Sequence, residues 1–198
     1  KVMTVATALN SLGGESVVPI SFNALMQEAD YGFFVNEKFT VSDLSKFTLV
    51  GSANDGAYAL YESEKNFLEM MNEKAKKIGM EHTNFLNPTG LDINFENPGA
   101  VASAEDVNVM NLYALRSHPE IFETSKLDTF EVQSLSGFNH KINNTNTILE
   151  KIPNLIFSKT GLSNLAGGNL SIILKSKEGH YIAITVLGST AEGRFTEM

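Results

Sequence analysis

The chain has 198 residues, 42% of them hydrophobic, and a formal charge of −8. That length supports one buried core, and so acidic a composition lacks the basic face that nucleic-acid phosphates would require. The absence of cysteine removes disulfides and thiolate metal sites, and no apolar window reaches the ~18 residues that a membrane-spanning helix needs.

The opening segment, KVMTVATALNSLGG, predicts a buried helix: Val2, Val5, Ala6 and Leu9 recur at helical spacing and Gly13-Gly14 stops it. Mixed periodicity follows over VVPISFNALMQEADYGFFVNEKF, which reads as irregular. Ser42 is the expected cap of a helix running towards Val50. A tight polar knot, Ser52-Ala53-Asn54-Asp55-Gly56, then leads into an alanine-rich helix. Phe67, Met71, Ala75 and Ile78 share one face of a further helix that Gly79 ends. NFLNPTGLD is turn-rich, and Asn87-Pro88-Thr89-Gly90 within it reads as a structural turn. Ser103-Ala104-Glu105-Asp106 resembles a capping box for a helix reaching about Ser117.

Beyond about residue 127 the pattern changes. Thr129–Val132 alternates, Leu170–Leu174 and Tyr181–Leu187 are rich in β-branched residues, and Lys177-Glu178-Gly179 marks a hairpin turn between the last two. A helical first part, 1–127, and an antiparallel second part, 128–198, make an α+β arrangement within a single domain.

Phe157-Ser158-Lys159-Thr160-Gly161 falls at the expected end of a strand. A lone Lys-Thr/Ser-Gly occurs by chance in about one chain in ten of this length. Taken singly, Ser52 and Asn54 read as turn or capping residues, Lys159 as a solvated lysine and Lys1 as a terminus. In order, however, Lys1, Ser52-Ala53-Asn54 and Lys159-Thr160-Gly161 match most of the Ser-x-x-Lys, Ser-x-Asn, Lys-Thr-Gly signature of penicillin-binding proteins and class A β-lactamases. FLEMMNEKAKKIGMEHTNFLNPTGLD, VSDL before the Ser-x-Asn, Asn144-Thr145-Asn146, and Ala166-Gly167 extend the likeness. The chain resembles the low-molecular-mass D-alanyl-D-alanine carboxypeptidases, peptidase family S11, from Lys1 to about Gly188. It fits class A β-lactamases less well, since they carry Ser-Asp-Asn and a deacylating glutamate with no counterpart here.

The resemblance implies a fold in which a helical lobe packs on an antiparallel sheet, with N-terminal strands and a C-terminal helix expected outside this chain. It implies a serine nucleophile three residues before Lys1. A chain opening on Lys1-Val2-Met3, with neither initiator methionine nor leader, is expected to start inside a longer protein. As given it is expected to be inactive. The implied reaction is acyl transfer from a stem peptide ending in D-Ala-D-Ala, with β-lactams as covalent inhibitors. Lys1 would activate the serine, Ser52 would relay a proton to the leaving amine, and Asn54 would hold Lys1 and the substrate amide. Lys159 and Thr160 would meet the substrate carboxylate. Gly161 would leave the strand edge open, and the Leu162 N–H would serve the oxyanion hole, a donor worth about 3 kcal/mol. Leucine at 162 departs from the polar or aromatic residue often found there, which bears on the substrate pocket.

No cofactor is implied. His82, His118, His140 and His180 are scattered with no i, i+4 pair or carboxylate companion, so no metal site is expected either. The parent protein would be exported, acting in the periplasm or at the outer face of the membrane, with any membrane association through segments outside this chain. Two other readings stay open: a D,D-endopeptidase with the same machinery, and a peptidoglycan-binding relative without a nucleophile.

Overall fold

The computed structural model describes residues 1–198. Helix α1 (Val2–Leu12) lies at the centre of the helical part, and every residue from Val2 to Leu9 is buried, so it is a core helix rather than an amphipathic one. Gly13 ends it at φ 81°, in the left-handed region that glycine adopts without cost. The segment read as irregular contains a small antiparallel pair, β1 (Val17–Pro19) with β2 (Lys38–Thr40), flanking a short helix α2 (Phe22–Leu25).

Helix α3 (Val41–Gly51) follows β2 directly. Its cap is Thr40, whose Oγ1 accepts from Asp43 N at 3.0 Å, not Ser42 as the sequence reading expects. The strand runs to Thr40, so the helix begins two residues earlier and the first of two available hydroxyls takes the role. Helices α4 (Asn54–Glu62) and α5 (Phe67–Lys77) pack on α1, and α5 buries Phe67, Met71 and Ala75 as the spacing predicts. Strands β3 (Asn84–Phe85) and β4 (Ala100–Val101) pair, with residues 86–99 as a long loop between them. Helix α6 (Ala104–Ser117) is capped by Ser103 Oγ. Only half of the capping box forms, because the Asp106 carboxylate turns instead to His82 N and Thr83 Oγ1. Helix α7 (Pro119–Phe122) and a 3-10 turn (Glu123–Lys126) close this part.

The second part holds two separate antiparallel units. β5 (Thr129–Gln133) and β6 (Asn139–Asn143) form a hairpin packed on α3. β7 (Leu155–Ser163), β8 (Gly167–Lys175) and β9 (Tyr181–Ser189) form a three-stranded sheet in that order, with a short α8 (Gly193–Thr196) beyond it. Helix α6 covers β8 and β9 through a polar chain: Asn111 Nδ2 donates to Ser171 Oγ (2.6 Å), which meets Thr185 Oγ1, which donates to Asn108 Oδ1 (2.7 Å). Phe157 and Ile173 of the sheet join the helical core, which fuses both parts into one hydrophobic unit.

Candidate active site

Where α3 gives way to α4 the chain turns through Ser52, which sits at φ 58°, ψ 34° as the C-terminal residue of α3. Of the two residues that read as turn or capping residues, Ser52 is the left-handed C-cap of α3 and Asn54 opens α4 without capping it. The position that caps α4 is Ala53, which makes no side-chain cap bond, and the first-turn Gly56 N is met instead by Asp55 Oδ1 at 2.7 Å. The close crossing of α3 and α4 depends on Gly56, since a Cβ there would lie 2.3 Å from Thr48 Oγ1. The Ser52 hydroxyl finds its partner far along the chain.

That hydroxyl accepts from Lys159 Nζ at 2.8 Å, across 107 residues of sequence. Lys159 lies in the middle of β7 rather than at its end, because pairing with β8 carries the strand on to Ser163. β7 is an edge strand. Its Ser158 N–H is given to Ser125 Oγ (3.1 Å) instead of to β8, which by the two-residue period puts the N–H groups of Thr160 and Leu162 on the same free edge. Asn146 Nδ2 donates to Ser158 Oγ and Thr145 Oγ1 meets Thr160 Oγ1, so residues 145–146 form a shelf behind the strand. Thr160 therefore has a partner already, at 2.5 Å. Its proton stays available to the cleft when Thr145 is the donor of that pair.

A cavity of about 250 Å³ is lined by Lys1, Ser52, Lys159, Thr160, Gly161 and Leu162, together with Thr89, Gly90 and an apolar wall that includes Met80, Phe85 and Met110. Six of the seven candidate residues thus share one cleft. Asn54 is not among its lining residues. Its Nδ2 donates to Glu28 O at 2.8 Å, and its Oδ1 is buried with no partner. Lys1 likewise differs from expectation, since its ammonium donates to Thr89 O at 2.8 Å. A Cβ at Gly161 would make ordinary contact with Asn169, so the sheet itself does not require glycine there.

Electrostatics separates the two lysines. Burial lowers the Lys1 amine from 10.5 to about 8, while the negative charge of Asp55 works against the shift. Lys159 is held well below the ordinary lysine value by burial first, then by the positive charges of Lys1 and Arg194. Asp55 is 1% exposed, and burial raises its carboxyl to about 7 although Gly56 N and Tyr31 N donate to it.

Several members of the site escape sequence reasoning. The Asn87–Gly90 turn is part of the cleft wall as well as a structural turn, and the group it offers Lys1 is a main-chain carbonyl with no side-chain signature. Arg194 reaches from α8 to donate through Nη1 to Gly161 O at 2.7 Å, and its Nε is buried without a partner. Tyr31 OH donates to Ser52 O, which makes the loop after α2 a brace for the turn.

Comparison with known proteins follows this geometry. The D-alanyl-D-alanine carboxypeptidase DacA of Haemophilus influenzae is 29% identical over 168 residues, covering 82% of this chain and 41% of that protein. DacF of Bacillus subtilis is 31% identical over 80% of this chain and 40% of its own length. The D-alanyl-D-alanine endopeptidase of Pseudomonas aeruginosa is 32% identical over 84% of this chain and 55% of that protein. This chain therefore spans about two fifths to about half of the curated relatives it matches. Among solved structures, penicillin-binding protein D2 of Listeria monocytogenes in its ampicillin-bound form superposes with a TM-score of 0.76 at 27% identity, over 99% of this chain and 82% of that one. The Streptomyces K15 DD-transpeptidase shares the fold with a TM-score of 0.83 at 23% identity, over 99% of this chain and 81% of that one. These likenesses agree with a family match that runs over residues 1–190, and the chain belongs to the D-alanyl-D-alanine carboxypeptidase family, peptidase S11.

Proposed function

We propose that the protein carrying this chain hydrolyses the terminal D-Ala from peptidoglycan stem peptides through an acyl-serine intermediate, with the serine three residues before Lys1. The observation that carries this reading is the 2.8 Å contact from Lys159 Nζ to Ser52 Oγ inside the cavity that Lys1 lines.

A serine hydroxyl needs a base, and residues i and i+3 share a helix face, so the Lys1 amine would stand beside it. With a value near 8, about a tenth of Lys1 is neutral at pH 7, enough for it to take the serine proton. Lys159 and Ser52 form the second proton path, towards the leaving amine. The oxyanion would be met by the Leu162 N–H on the free edge of β7, beside the nucleophile's own N–H. Substrate backbone would lie along that edge as an added strand, with its carboxylate towards Thr160 and Arg194. Asn54 Oδ1, buried and unpartnered, is suited to accept from Lys1 once the ammonium leaves Thr89 O.

Such a substrate lies outside the cytoplasmic membrane, so the protein would act there after export. No helix of this chain is long and apolar enough to cross a membrane. β-Lactams would acylate the same serine. The test is labelling with a fluorescent penicillin: a chain extended upstream with a serine three residues before Lys1 should label, and residues 1–198 alone should not. Labelling of the short form would overturn the assignment of the nucleophile.

The endopeptidase reading is favoured by one observation, the 32% identity to the Pseudomonas aeruginosa endopeptidase over 184 residues. Release of free D-Ala from a linear pentapeptide, set against cleavage of a cross-linked dimer, separates the two activities.

A further inference from the structure

The loop between β3 and β4 is built as a rigid cup. Asn87 Oδ1 accepts from Gly90 N (2.7 Å) and its Nδ2 donates to Leu91 O (2.7 Å), while Leu86 N and Asn87 N both donate to Gly99 O. Gly99 cannot carry a side chain, because a Cβ would lie 2.1 Å from Leu91 O. The cup is fastened to α1 by Lys1 Nζ on Thr89 O and by Thr4 Oγ1 on Pro88 O at 2.6 Å. Its far end is fastened to the sheet by one side chain. Asp92 Oδ1 accepts from Ser163 Oγ and Asp92 Oδ2 accepts from Leu165 N, both at 2.9 Å, across 71 and 73 residues of sequence. Ser163 Oγ in turn accepts from Ala166 N at 3.1 Å, so one carboxylate orders the whole β7–β8 turn.

Ser163 directly follows Leu162. The carboxylate therefore joins the cleft wall that holds Lys1 to the end of the strand opposite, next to the N–H assigned to the oxyanion. We infer that Asp92 is a positioning residue for the reaction: it fixes the distance between the Lys1–Thr89 wall and the Leu162 N–H across the mouth of the cleft. The inference rests on the acyl-transfer reading above. A donor aimed at developing charge loses its value when misplaced by ~1 Å, whereas ground-state binding along a strand tolerates such a shift. Loss of Asp92 thus slows acylation while leaving initial binding nearly intact.

The experiment is stopped-flow acylation of the upstream-extended protein by a chromogenic cephalosporin, resolving the pre-acylation Kd from the acylation rate constant. Asp92→Ala should lower the rate constant about tenfold or more and change Kd less than about twofold. Asp92→Asn, which keeps an acceptor for one of the two donors, should recover a large part of the rate. Ser163→Ala added to Asp92→Ala should cost little more, because both act through one link. In residues 1–198 alone, Asp92→Ala should speed hydrogen exchange at Leu165 and Ala166 with the exchange of α1 unchanged. A reactive wild type with an unaltered rate constant in Asp92→Ala, or a loss confined to Kd, overturns the inference alone. An unreactive wild type overturns the acyl-transfer reading and this inference with it, and a variant that melts throughout is replaced by Asp92→Asn as the deciding comparison.

Discussion

Asn54 gives its side-chain amide to the carbonyl of Glu28, at 2.8 Å, and keeps a buried Oδ1 that nothing satisfies. An orphaned buried acceptor costs about 1–3 kcal/mol, and acceptance from Lys1 during acylation is the use proposed for it. Replacing Asn54 with Ala should have two separable effects. Acylation should fall by about 100-fold, the typical loss for a preorganised polar group in a dry site. Stability should change by less than about 1 kcal/mol, because removing the orphan offsets the bond lost to Glu28 O. Acylation kinetics and urea unfolding together decide it. A large stability loss with normal acylation would show that Asn54 only braces the loop.

Asp55 and Lys1 give the protein a characteristic pH dependence of stability. The Asp55 carboxyl rises from 3.8 to about 7 in the folded chain. Between those values the folded chain holds a proton that the unfolded chain has released, so stability falls as pH rises through that window, and the cost is complete above it. Lys1 drops from 10.5 to about 8. Between 8 and 10.5 the unfolded chain binds the extra proton, so stability climbs again with pH. Taken by themselves the two groups place a stability minimum between pH 7 and 8, to which the lowered amines of Lys159 and of the chain terminus add a further rise with pH. Asp55→Asn keeps an acceptor for one of the two backbone donors and removes the charge. It should raise stability at pH 7.5 by about 1–2 kcal/mol and leave it unchanged near pH 4. Calorimetric scans from pH 4 to 10 test this, and a variant gain that is equal at all pH values would refute the carboxylate's role. Because Asp55 supports the charged form of Lys1, the same substitution should move the acidic limb of the acylation profile to lower pH.

A second buried polar pair lies behind the site. His140 Nε2 is 2.6 Å from Glu37 Oε1, both side chains are almost wholly buried, and Phe33, Phe39 and Phe47 surround the imidazole. Glu37 Oε2 accepts from Phe34 N, which ties the pair to the loop whose Glu28 and Tyr31 hold Asn54 and Ser52. Removing one partner of such a pair leaves the other buried polar group unsatisfied, at about 1–3 kcal/mol or more. His140→Ala should cost that much in urea unfolding, and His140→Gln, which still donates to Glu37, should cost less than half. Equal costs would assign the effect to the cavity among the phenylalanines rather than to the polar pair.

Much of this was legible in the chain because local rules and core periodicity govern it. Helix α1 is announced by its apolar spacing, α5 by Phe67, Met71 and Ala75, and the β8–β9 hairpin by Lys177-Glu178-Gly179. The ordering of Lys1, Ser52 and Lys159 anticipates that they face one cavity. What stayed hidden depends on contacts between distant segments or on groups without a side-chain signature. Glu37 as the companion of His140 lies 103 residues away, and no spacing rule links them. The Thr89 carbonyl is main chain, so a turn that reads as structural turns out to hold the catalytic lysine candidate. Thr40 and Ser42 are both competent caps, and only the pairing of β2 decides between them.

Arg194 supplies the last test. It donates through Nη1 to Gly161 O and leaves Nε buried and unpaired, while its charge helps to depress Lys159. A guanidinium in this state can take a substrate carboxylate through its remaining donors, and a charge-assisted bond of that kind is worth about 1.5–3 kcal/mol. Arg194→Ala in the extended protein should therefore lower kcat/KM for a peptide ending in a free carboxylate by about 10- to 100-fold. The matching carboxamide should lose less than about threefold, since it carries no charge for the guanidinium to meet. Arg194→Lys should restore part of the rate as a point charge without the planar fork. If acid and amide suffer equally, Arg194 serves only to hold Gly161 O, and the substrate carboxylate is met by Lys159 and Thr160 alone.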